Sequence, residues 1–500
     1  MLEAVVATLA VLTVVGILPA VALTGVRMRL IFLSPLIGAT VAAAAAWLVF
    51  VVGATILPWF VALAATANAA AALGLLVNRR RGAHRPRPAP AEPWLWRILG
   101  GGATALVIVS AAAWPLTALR APIVGYDARA IWILHAVFIF QGHSQMVSHL
   151  TNPAYRFSNP DYPPLVPAAG ALGFALAGHA TERLAVWVTD LLDASALGML
   201  ATGVVAAAAT LSRGRRMVAV GAGASLCLVG FGIAGLSGIG GYADLLWAAA
   251  AAAAVVYGLV LPRSRHHLLV AWICANVAAL TKNEGLTTCL VIFVLLAIRY
   301  VPAPTRDAPR RFVEQGKRWA FRIALAGAMA LPGLVWVATI RAYGLSNSFF
   351  TGSPTQPVGL RLRTAADAMA TQLHIVWAAA AIAIVGLVAL GRARHRLRLA
   401  HSAWLWVAMA ASIGSVLATY VFGIYEIHWW LSTSVDRTTI FAKLLAFTDV
   451  ALWLVIALPL GRPAGAAAIE PPLAAATPVS PRVPLAQLPV TSTVPNQRPQ

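Results

Sequence analysis

The chain alternates between long apolar stretches and short polar segments, and this pattern predicts membrane-spanning helices. A stretch of about 20 apolar residues is long enough to cross the ~30 Å hydrocarbon layer of a bilayer. Only helices and closed barrels satisfy their backbone groups in lipid, and these Ala-, Leu- and Val-rich stretches show no strict alternation. We therefore expect helical spans over residues 2–24, 30–52, 54–77, 98–118, 184–210, 217–237, 243–261, 267–281, 285–301, 322–340, 371–391, 402–424 and 441–461.

The apolar segment at residues 164–178 is shorter than the others. With only about 15 residues it is short for a full crossing. We expect a re-entrant or partial helix there, and a full crossing would change the orientation of the neighbouring spans.

Composition supports a membrane protein. Of the 500 residues, 60% are hydrophobic and only 11% are charged, whereas about 25% are charged in a typical soluble domain. The predicted fold class is an all-α, polytopic transmembrane helical bundle of about 11–14 spans.

The net charge of +21 comes from 37 Lys and Arg against 16 Asp and Glu. In a soluble protein this balance would suggest nucleic-acid binding. Here the basic residues cluster in short loops, as the positive-inside rule predicts for cytoplasmic loops, so we expect no nucleic-acid partner. Together with the C-terminal tail, these loops hold 27 of the 37 basic residues: 27–29, 79–97, 213–216, 263–265, 299–322 and 392–398.

Four regions are predicted along the chain. Residues 1–78 form N-terminal transmembrane helices, 79–97 a basic cytoplasmic linker, 98–461 a transmembrane core, and 462–500 a disordered, Pro-rich tail. The N-terminus is expected outside and the C-terminus inside. Cys227, Cys274 and Cys289 lie in or near apolar stretches and are expected to be buried and free.

The largest non-cytoplasmic loops are predicted at residues 119–163, 341–370 and 424–440. The first loop contains an apolar, helix-like pattern that suits helices lying along the membrane interface. Its apolar positions are Ile131, Trp132, Leu134, His135, Phe138 and Ile139. In the second loop, residues 360–371 are basic and are predicted to face lipid phosphates.

Acidic residues next to the spans are candidates for chemistry, because ionisable groups at membrane depth are costly. Asp127 follows Tyr126 as a potential general base or metal ligand, and Asp244 begins a later span. Either side chain could instead be a helix N-cap. Asp161 and Tyr162 lie in a stiff Asn-Pro-Asp-Tyr-Pro-Pro turn, which either holds them at a site or only ends the loop.

Two further segments are rich in polar groups. Lys282, next to Glu284, could bind a phosphate as a point charge, or this pair could simply solvate a turn. Residues 426–437 contain His428, Trp429 and Arg437. Arg437 could bind a phosphate in bidentate fashion, or the segment could be an interfacial aromatic belt with a local Asp436–Arg437 pair.

Arg183 precedes an acidic pair on the following helix. Asp190 and Asp193 are three residues apart and share one helix face. We expect these two carboxylates to contact neighbouring helices and not a ligand.

In this order the motifs resemble those of GT-C type glycosyltransferases. This group includes protein O-mannosyltransferases, aminoarabinose transferases of lipid A and Rgt-like bacterial enzymes. The resemblance covers residues 98–460. Its motifs are Tyr126-Asp127, Asp161-Tyr162-Pro163-Pro164-Leu165, Arg183-Leu184, Tyr242-Ala243-Asp244, Lys282 to Gly285 and Ser434 to Arg437.

The resemblance implies a GT-C-like core that takes a sugar from a polyprenyl-phosphate donor at the outer, periplasmic face of the cell membrane. The acceptor is an unspecified glycan, lipid or protein. Asp127 would be the catalytic base, Asp244 a second acidic residue of the catalytic site, and Lys282 and Arg437 the donor-phosphate ligands. The remaining motif residues would bind substrate: Tyr126, Asp161, Tyr162, Arg183, Glu284, His428 and Trp429.

A divalent cation, Mg²⁺ or Mn²⁺, on Asp127 and Asp244 is part of that expectation. Against the metal, Ala128 follows Asp127 where many relatives have a second acidic residue. Two other functions remain open. A transporter or flippase would place charges near mid-membrane and carry inverted repeats, whereas most carboxylates here are at span ends and the sequence shows no convincing repeat. The third possibility is a non-catalytic scaffold or a lipid-polymer ligase, and a scaffold would be indifferent to loss of the Asp127 carboxylate.

Overall fold

The fold is that of a computed structural model. It describes residues 2–24, 29–80, 102, 105–113, 125–208, 213–238, 240–301, 311–345, 352–354, 356–389 and 392–457. Within these ranges the regular structure is helical, so the predicted all-α class is confirmed. Residues Met1–Pro459 form one compact unit. Most of the predicted linker 79–97 and all of the predicted tail 462–500 lie outside the described residues.

Within its described ranges, the first half of the chain contains seven named α-helices and two short helical turns. A segment at 105–113 is also helical. A π-helical turn, Ala128–Ile133, leads into α4, and a 3₁₀ turn, Pro153–Ser158, follows α5. The helices are α1 (Leu2–Thr24), α2 (Arg29–Val51), α3 (Ile56–Arg80), α4 (Leu134–Gln141), α5 (His143–Thr151), α6 (Leu165–Ala177) and α7 (Glu182–Ala207).

The part of the second half that the structure describes contains ten more α-helices. A 3₁₀ turn, Gly235–Gly238, follows α8, and a π-helical turn, Val256–Val260, extends α9. The helices are α8 (Arg213–Ala234), α9 (Asp244–Val255), α10 (Arg265–Thr281), α11 (Asn283–Tyr300), α12 (Arg311–Ala342), α13 (Val358–Gln372), α14 (His374–Ala389), α15 (Arg392–Phe422), α16 (Ile427–Thr438) and α17 (Ile440–Ala457).

The apolar helices identify a multi-pass membrane protein. Nine helical segments in the described part of the chain are long and apolar enough to cross a bilayer, or ten if one bent pair counts as a span. Shorter apolar helices cover 128–141, 165–177 and 244–260. Of the predicted span 98–118, only residues 102 and 105–113 are described, so the number of spans in the whole chain stays a prediction.

The short segment at 164–178 forms α6, a buried helix of 13 residues. At 1.5 Å per residue it is about 20 Å long, less than the ~30 Å of hydrocarbon. Gly178 ends it in the left-handed conformation, with φ of 78°. A partial helix therefore agrees with the expectation for this segment.

The predicted loop 424–440 is wrong, because these residues are largely helical. Helices α16 and α17 follow each other almost without a break, and Ile427–Val455 is long and apolar enough to be one span. Arg437 consequently lies on a helix that belongs to a candidate span.

The predicted loop 341–370 is also partly wrong. Residues 358–370 of this segment belong to α13, which is bent by 64° against the following helix. Arg361 on α13 is fully buried and donates hydrogen bonds to the backbone carbonyls of Tyr420, Val421 and Tyr425. The prediction that this basic stretch faces lipid phosphates is therefore wrong for Arg361.

The apolar helix predicted in the first loop is present. Ile131, Trp132, Phe138 and Ile139 are buried against other parts of the protein. His135 is buried as well, and its Nε2 lies 3.0 Å from Oγ of Ser158. This contact fixes the turn Pro153–Ser158 onto α4.

The N-terminal helices pack closely on each other and on the core. A Cβ on Gly16 of α1 would lie 1.9 Å from the carbonyl oxygen of Ser34 in α2, so only glycine permits this approach. Nε1 of Trp47 donates to Oγ1 of Thr339 at 2.9 Å, which connects α2 to α12. The three cysteines are buried and free, as predicted.

Candidate functional site

A cavity of about 620 Å³ lies where several helices begin or end. Its walls come from the segment before α4, the turn before α6, the start of α9, the α10–α11 junction, the end of α15, and α16. Eight residues predicted from the sequence line it: Tyr126, Asp127, Tyr162, Asp244, Lys282, Glu284, Trp429 and Arg437.

Arg437 is at the centre of the charged groups. Its Nη1 lies 2.5 Å from Oδ2 of Asp127 and 3.4 Å from Oδ2 of Asp244. Nε and Nη2 donate to the backbone carbonyl of Thr433, one turn earlier on α16. The guanidinium is thus fixed by its own helix while one nitrogen contacts two carboxylates from distant parts of the chain.

The helix-cap alternative is wrong for both carboxylates. Asp127 is at the cap position of the π-helical turn but makes no capping hydrogen bond, and Asp244 is already the first residue of α9. The local Asp436–Arg437 ion pair is also not formed: Oδ1 of Asp436 accepts a hydrogen bond from the backbone N–H of Arg437.

Lys282 is the second cation of the cavity. Its Nζ lies 2.7 Å from Oδ1 of Asp244 and 3.2 Å from Oε1 of Glu284. The side chain is only 8% exposed, so Lys282 does not simply solvate a turn. Burial alone would lower the pKa of Lys282, but the charges of Asp244 and Glu284 outweigh it and raise the pKa above its ordinary value.

Aromatic rings cover both cations. The Tyr162 ring centre lies 5.9 Å from Nζ of Lys282, and the Tyr242 ring centre lies 5.2 Å from the Arg437 guanidinium carbon. Tyr162 also stacks on Trp132 with ring centres 5.3 Å apart. Burial, followed by the nearby charge of Glu284, raises the pKa of Tyr162 well above its ordinary value, so its hydroxyl stays a neutral donor.

The described donor atoms do not fit a divalent metal. The group between Asp127 and Asp244 is the Arg437 guanidinium, which already contacts both carboxylates. Within the described residues, no group of three or more His, Cys, Asp or Glu side chains is arranged to hold a metal ion. A guanidinium supplies the positive charge that the sequence had assigned to Mg²⁺ or Mn²⁺.

Asp161 lies next to the cavity but does not line it. Its Oδ2 accepts a hydrogen bond from Nδ2 of Asn283 at 2.6 Å, and its carbonyl accepts one from Nε1 of Trp336 at 3.0 Å. These contacts join the turn before α6 to α11 and α12. Burial raises the pKa of the Asp161 carboxyl to about 6, although the Asn283 hydrogen bond opposes this shift.

Arg183 and His428 are not brought into the cavity. Both are exposed and are absent from its walls. Near Arg183, Glu182 forms an exposed ion pair with Arg129 at 3.1 Å. The structure therefore separates these two residues from the other predicted substrate ligands.

The cavity also contains residues that the sequence reasoning missed. Arg156, Phe157 and Asn159 form part of one wall, and Tyr420 and Tyr425 part of another. Tyr425 lies 5.6 Å from Trp429 and 5.4 Å from Trp430, measured between ring centres. The available signal was the run Tyr155-Arg156-Phe157-Ser158-Asn159, which places a basic residue between two aromatic ones just before the Asn-Pro-Asp-Tyr-Pro-Pro turn.

The acidic pair on α7 is buried, but its carboxylates do not form the polar contacts with neighbouring helices that were predicted. Asp190 and Asp193 are 1% and 0% exposed, and their carboxylate oxygens have no hydrogen-bond partner of normal geometry in the described structure. Asp190 approaches the backbone of Gly241. Both residues lie inside the candidate span Glu182–Ala207.

In comparisons with known proteins, no family model, no curated protein and no solved structure matches this chain. The likeness to GT-C type glycosyltransferases therefore stays a prediction that depends on the motifs quoted above.

Proposed function

We propose that this protein is a membrane glycosyltransferase that moves a sugar from a polyprenyl-phosphate donor to an acceptor hydroxyl. The observation that carries the proposal is the meeting of Asp127, Asp244, Lys282 and Arg437 at one cavity. These residues supply the two functions that such a reaction needs, which are a base and positive charge for a phosphate leaving group.

Lys282 and Arg437 would bind the donor phosphate. Both are held by Asp244, whose side chain is only 2% exposed. Because Asp244 is buried between the two cations, its main role would be to position them. A phosphate that accepts hydrogen bonds from both would arrive at a preorganised site, which reduces the reorganisation needed in the transition state.

Asp127 would be the general base. Its side chain is 28% exposed, so an acceptor hydroxyl can reach it. In the reaction, the acceptor oxygen forms a bond to the anomeric carbon of the sugar while the bond between that carbon and the phosphate oxygen breaks. The electron pair leaves with the polyprenyl phosphate, and the acceptor proton goes to the Asp127 carboxylate.

The Arg437–Asp127 contact would also regulate the base. In the structure the Asp127 carboxylate is engaged by Nη1 of Arg437. When the donor phosphate takes over part of the Arg437 guanidinium, Asp127 would be released to accept a hydrogen bond from the acceptor hydroxyl. Donor binding would thus prepare the site for the acceptor.

The distribution of charge supports a location of the cavity on the non-cytoplasmic side of the cell membrane. Asp244 and Lys282 lie at one end of α9, α10 and α11, whereas Arg263, Arg265 and Arg299 lie at the other end. Basic residues favour the cytoplasmic side. The opposite, cavity-bearing end would then face the outside or the periplasm.

The test is transfer or slow hydrolysis of radiolabelled polyprenyl-phosphate sugars by the purified protein in detergent. We expect Asp127→Asn to abolish turnover while donor binding is kept. Asp367→Asn, at an exposed carboxylate on α13 away from the cavity, is the matched control and should be fully active. Equal turnover by Asp127→Asn and the unmodified protein would rule out the proposed base.

A proton-coupled transporter is the second candidate function, and the α7 acids favour it. Carboxylates buried inside a span are costly and often belong to proton pathways. In proteoliposomes, a transporter would carry solute in response to a pH gradient, and Asp193→Asn would abolish this uptake. A glycosyltransferase would show no such uptake.

A further inference from the structure

The cavity has an exposed, aromatic part that differs chemically from the charged part formed by Asp127, Asp244, Lys282 and Arg437. Tyr126, Arg156, Phe157 and Trp429 line the cavity and are all exposed, and we call these four residues the outer shelf. The exposed fraction is 73% for Tyr126, 54% for Phe157 and 56% for Trp429. Exposed aromatic groups gathered at one cavity mark a binding surface.

The backbone that carries Arg156 and Phe157 is held firmly. Asn152 caps the 3₁₀ turn Pro153–Ser158 by accepting from the N–H of Ala154, and Asn159 ends it in the left-handed conformation, with φ of 51°. The buried His135 side chain contacts the hydroxyl of Ser158, the last residue of this turn. Because a non-glycine residue adopts positive φ only at a cost, this turn is built to keep one shape.

The two walls of the shelf come from distant parts of the chain. Phe157 follows α5, whereas Trp429 is on α16, where Tyr425 packs against its ring. Arg156 makes no ion pair with any residue that the structure describes, so its guanidinium is available as a hydrogen-bond donor. The shelf therefore offers flat apolar faces beside donor groups.

We propose that the outer shelf binds a sugar ring of the acceptor, which makes the acceptor a glycan and not a peptide or a lipid. A pyranose presents C–H groups on its faces and hydroxyls around its edge, and this pattern matches aromatic faces flanked by Arg156 and the Tyr126 hydroxyl. An aromatic belt at the membrane interface would face lipid, whereas these rings line the cavity.

This inference rests on the proposed glycosyl transfer for its meaning, but its test does not need turnover. Saturation-transfer NMR would be recorded on the full-length protein in detergent, without donor, using methyl glucoside, methyl mannoside and maltose as probes. We expect the protons on the apolar faces of the sugar rings to receive the strongest saturation.

The variants are Phe157→Ala and Trp429→Ala, and the matched control is Phe422→Ala. Phe422 is 60% exposed at the end of α15 and does not line the cavity. Loss of one stacking ring should weaken the saturation signal roughly fivefold to tenfold, and the control should leave it unchanged. Equal signals from the shelf variants and the unmodified protein would overturn the proposal.

A Ser- and Thr-containing peptide is the competing probe. Saturation of the peptide but not of the glycosides, lost in Phe157→Ala, would show a peptide acceptor and overturn the glycan assignment. Sugar binding without any donor turnover would support the shelf and contradict glycosyl transfer. Donor turnover with no saturation of the glycosides would support glycosyl transfer and contradict the sugar-binding shelf. The two proposals can therefore be tested separately.

Discussion

Nη1 of Arg437 lies 2.5 Å from Oδ2 of Asp127, although 310 residues separate the two in the chain. The same nitrogen contacts Asp244 at 3.4 Å. Since the rest of the guanidinium is bound to the carbonyl of Thr433, the position of this charge is set by α16. The contact joins the first large loop to the last helices and defines the floor of the cavity.

Arg437→Lys is expected to reduce sugar transfer by about 10²-fold or more. A lysine cannot bind the Thr433 carbonyl and two carboxylates in one fixed geometry, and the loss of a preorganised charge typically has an effect of this size. Single-turnover transfer of a radiolabelled sugar measures the change. Arg363→Lys, at an exposed position on α13, is the control. Near-normal rates for Arg437→Lys would contradict the assigned phosphate contact.

Lys282→Met is expected to destabilise the fold through Asp244. Removal of one partner of a buried ion pair costs ~3–5 kcal/mol, and the remaining 3.4 Å contact of Asp244 with Arg437 should keep the loss at the lower end. Thermal unfolding in detergent measures it. Adding Asp244→Asn to Lys282→Met should recover much of the stability. A double variant less stable than the single one would show that the two residues are not coupled in this way.

Stability should fall as the pH rises from about 4 to about 6, because of Asp161. Its folded-state pKa is raised by burial to about 6, from an ordinary value of 3.8. The folded state therefore binds this proton more tightly than the unfolded state, and the stabilising contribution disappears as the pH passes the folded pKa.

Asp161→Asn should remove this part of the pH dependence. The amide oxygen can still accept the hydrogen bond from Asn283, so the variant should be at least as stable as the parent at pH 7.5. Melting temperatures measured between pH 4 and pH 8 provide the comparison. An unchanged slope in the variant would show that Asp161 does not titrate in this range.

Gly285→Ala is expected to disturb the site more than an ordinary glycine replacement. A Cβ on Gly285 would lie 2.1 Å from the carbonyl oxygen of Ala278 and 3.1 Å from Cβ of Trp247, so α10 and α11 would have to separate next to Lys282. Gly221→Ala on α8 meets nothing within 4 Å and should be neutral or stabilising by about 0.5–1 kcal/mol. Melting temperature and donor binding are the measurements. Similar melting temperatures and donor binding for both variants would mean that the close approach of α10 and α11 at Gly285 is not needed for stability or for the site.

The sequence predicted several parts of the site because their signals are local. Asp127, Asp244 and Lys282 each interrupt or border an apolar stretch, where an ionisable group is costly enough to stand out. Asp161 and Arg183 stood out for the same reason, yet the first holds a turn to α11 and the second is exposed outside the cavity. All of these residues lie beside a predicted span. That position alone therefore does not show whether a side chain faces a ligand or has a structural role.

Residues 426–437 show why one element was assigned wrongly. Their polar side chains resemble a loop, but in the structure they form a helix whose polar residues Thr433, Ser434 and Arg437 face a cavity. Polar residues in a sequence indicate polar surroundings. A cavity inside the bundle provides such surroundings, and so does the water outside it, so the sequence pattern does not distinguish the two. Only the packing of the other helices creates that cavity.

By itself, the sequence determined the helical, membrane-spanning class. Backbone groups in lipid must form hydrogen bonds within their own segment, so each apolar stretch specifies a helix without reference to the rest of the fold. The tertiary structure decided which charges meet. Arg437 could have paired with its neighbour Asp436, but helix packing turned it to Asp127 and Asp244 instead. Such contacts depend on the relative placement of helices hundreds of residues apart, which no local pattern contains.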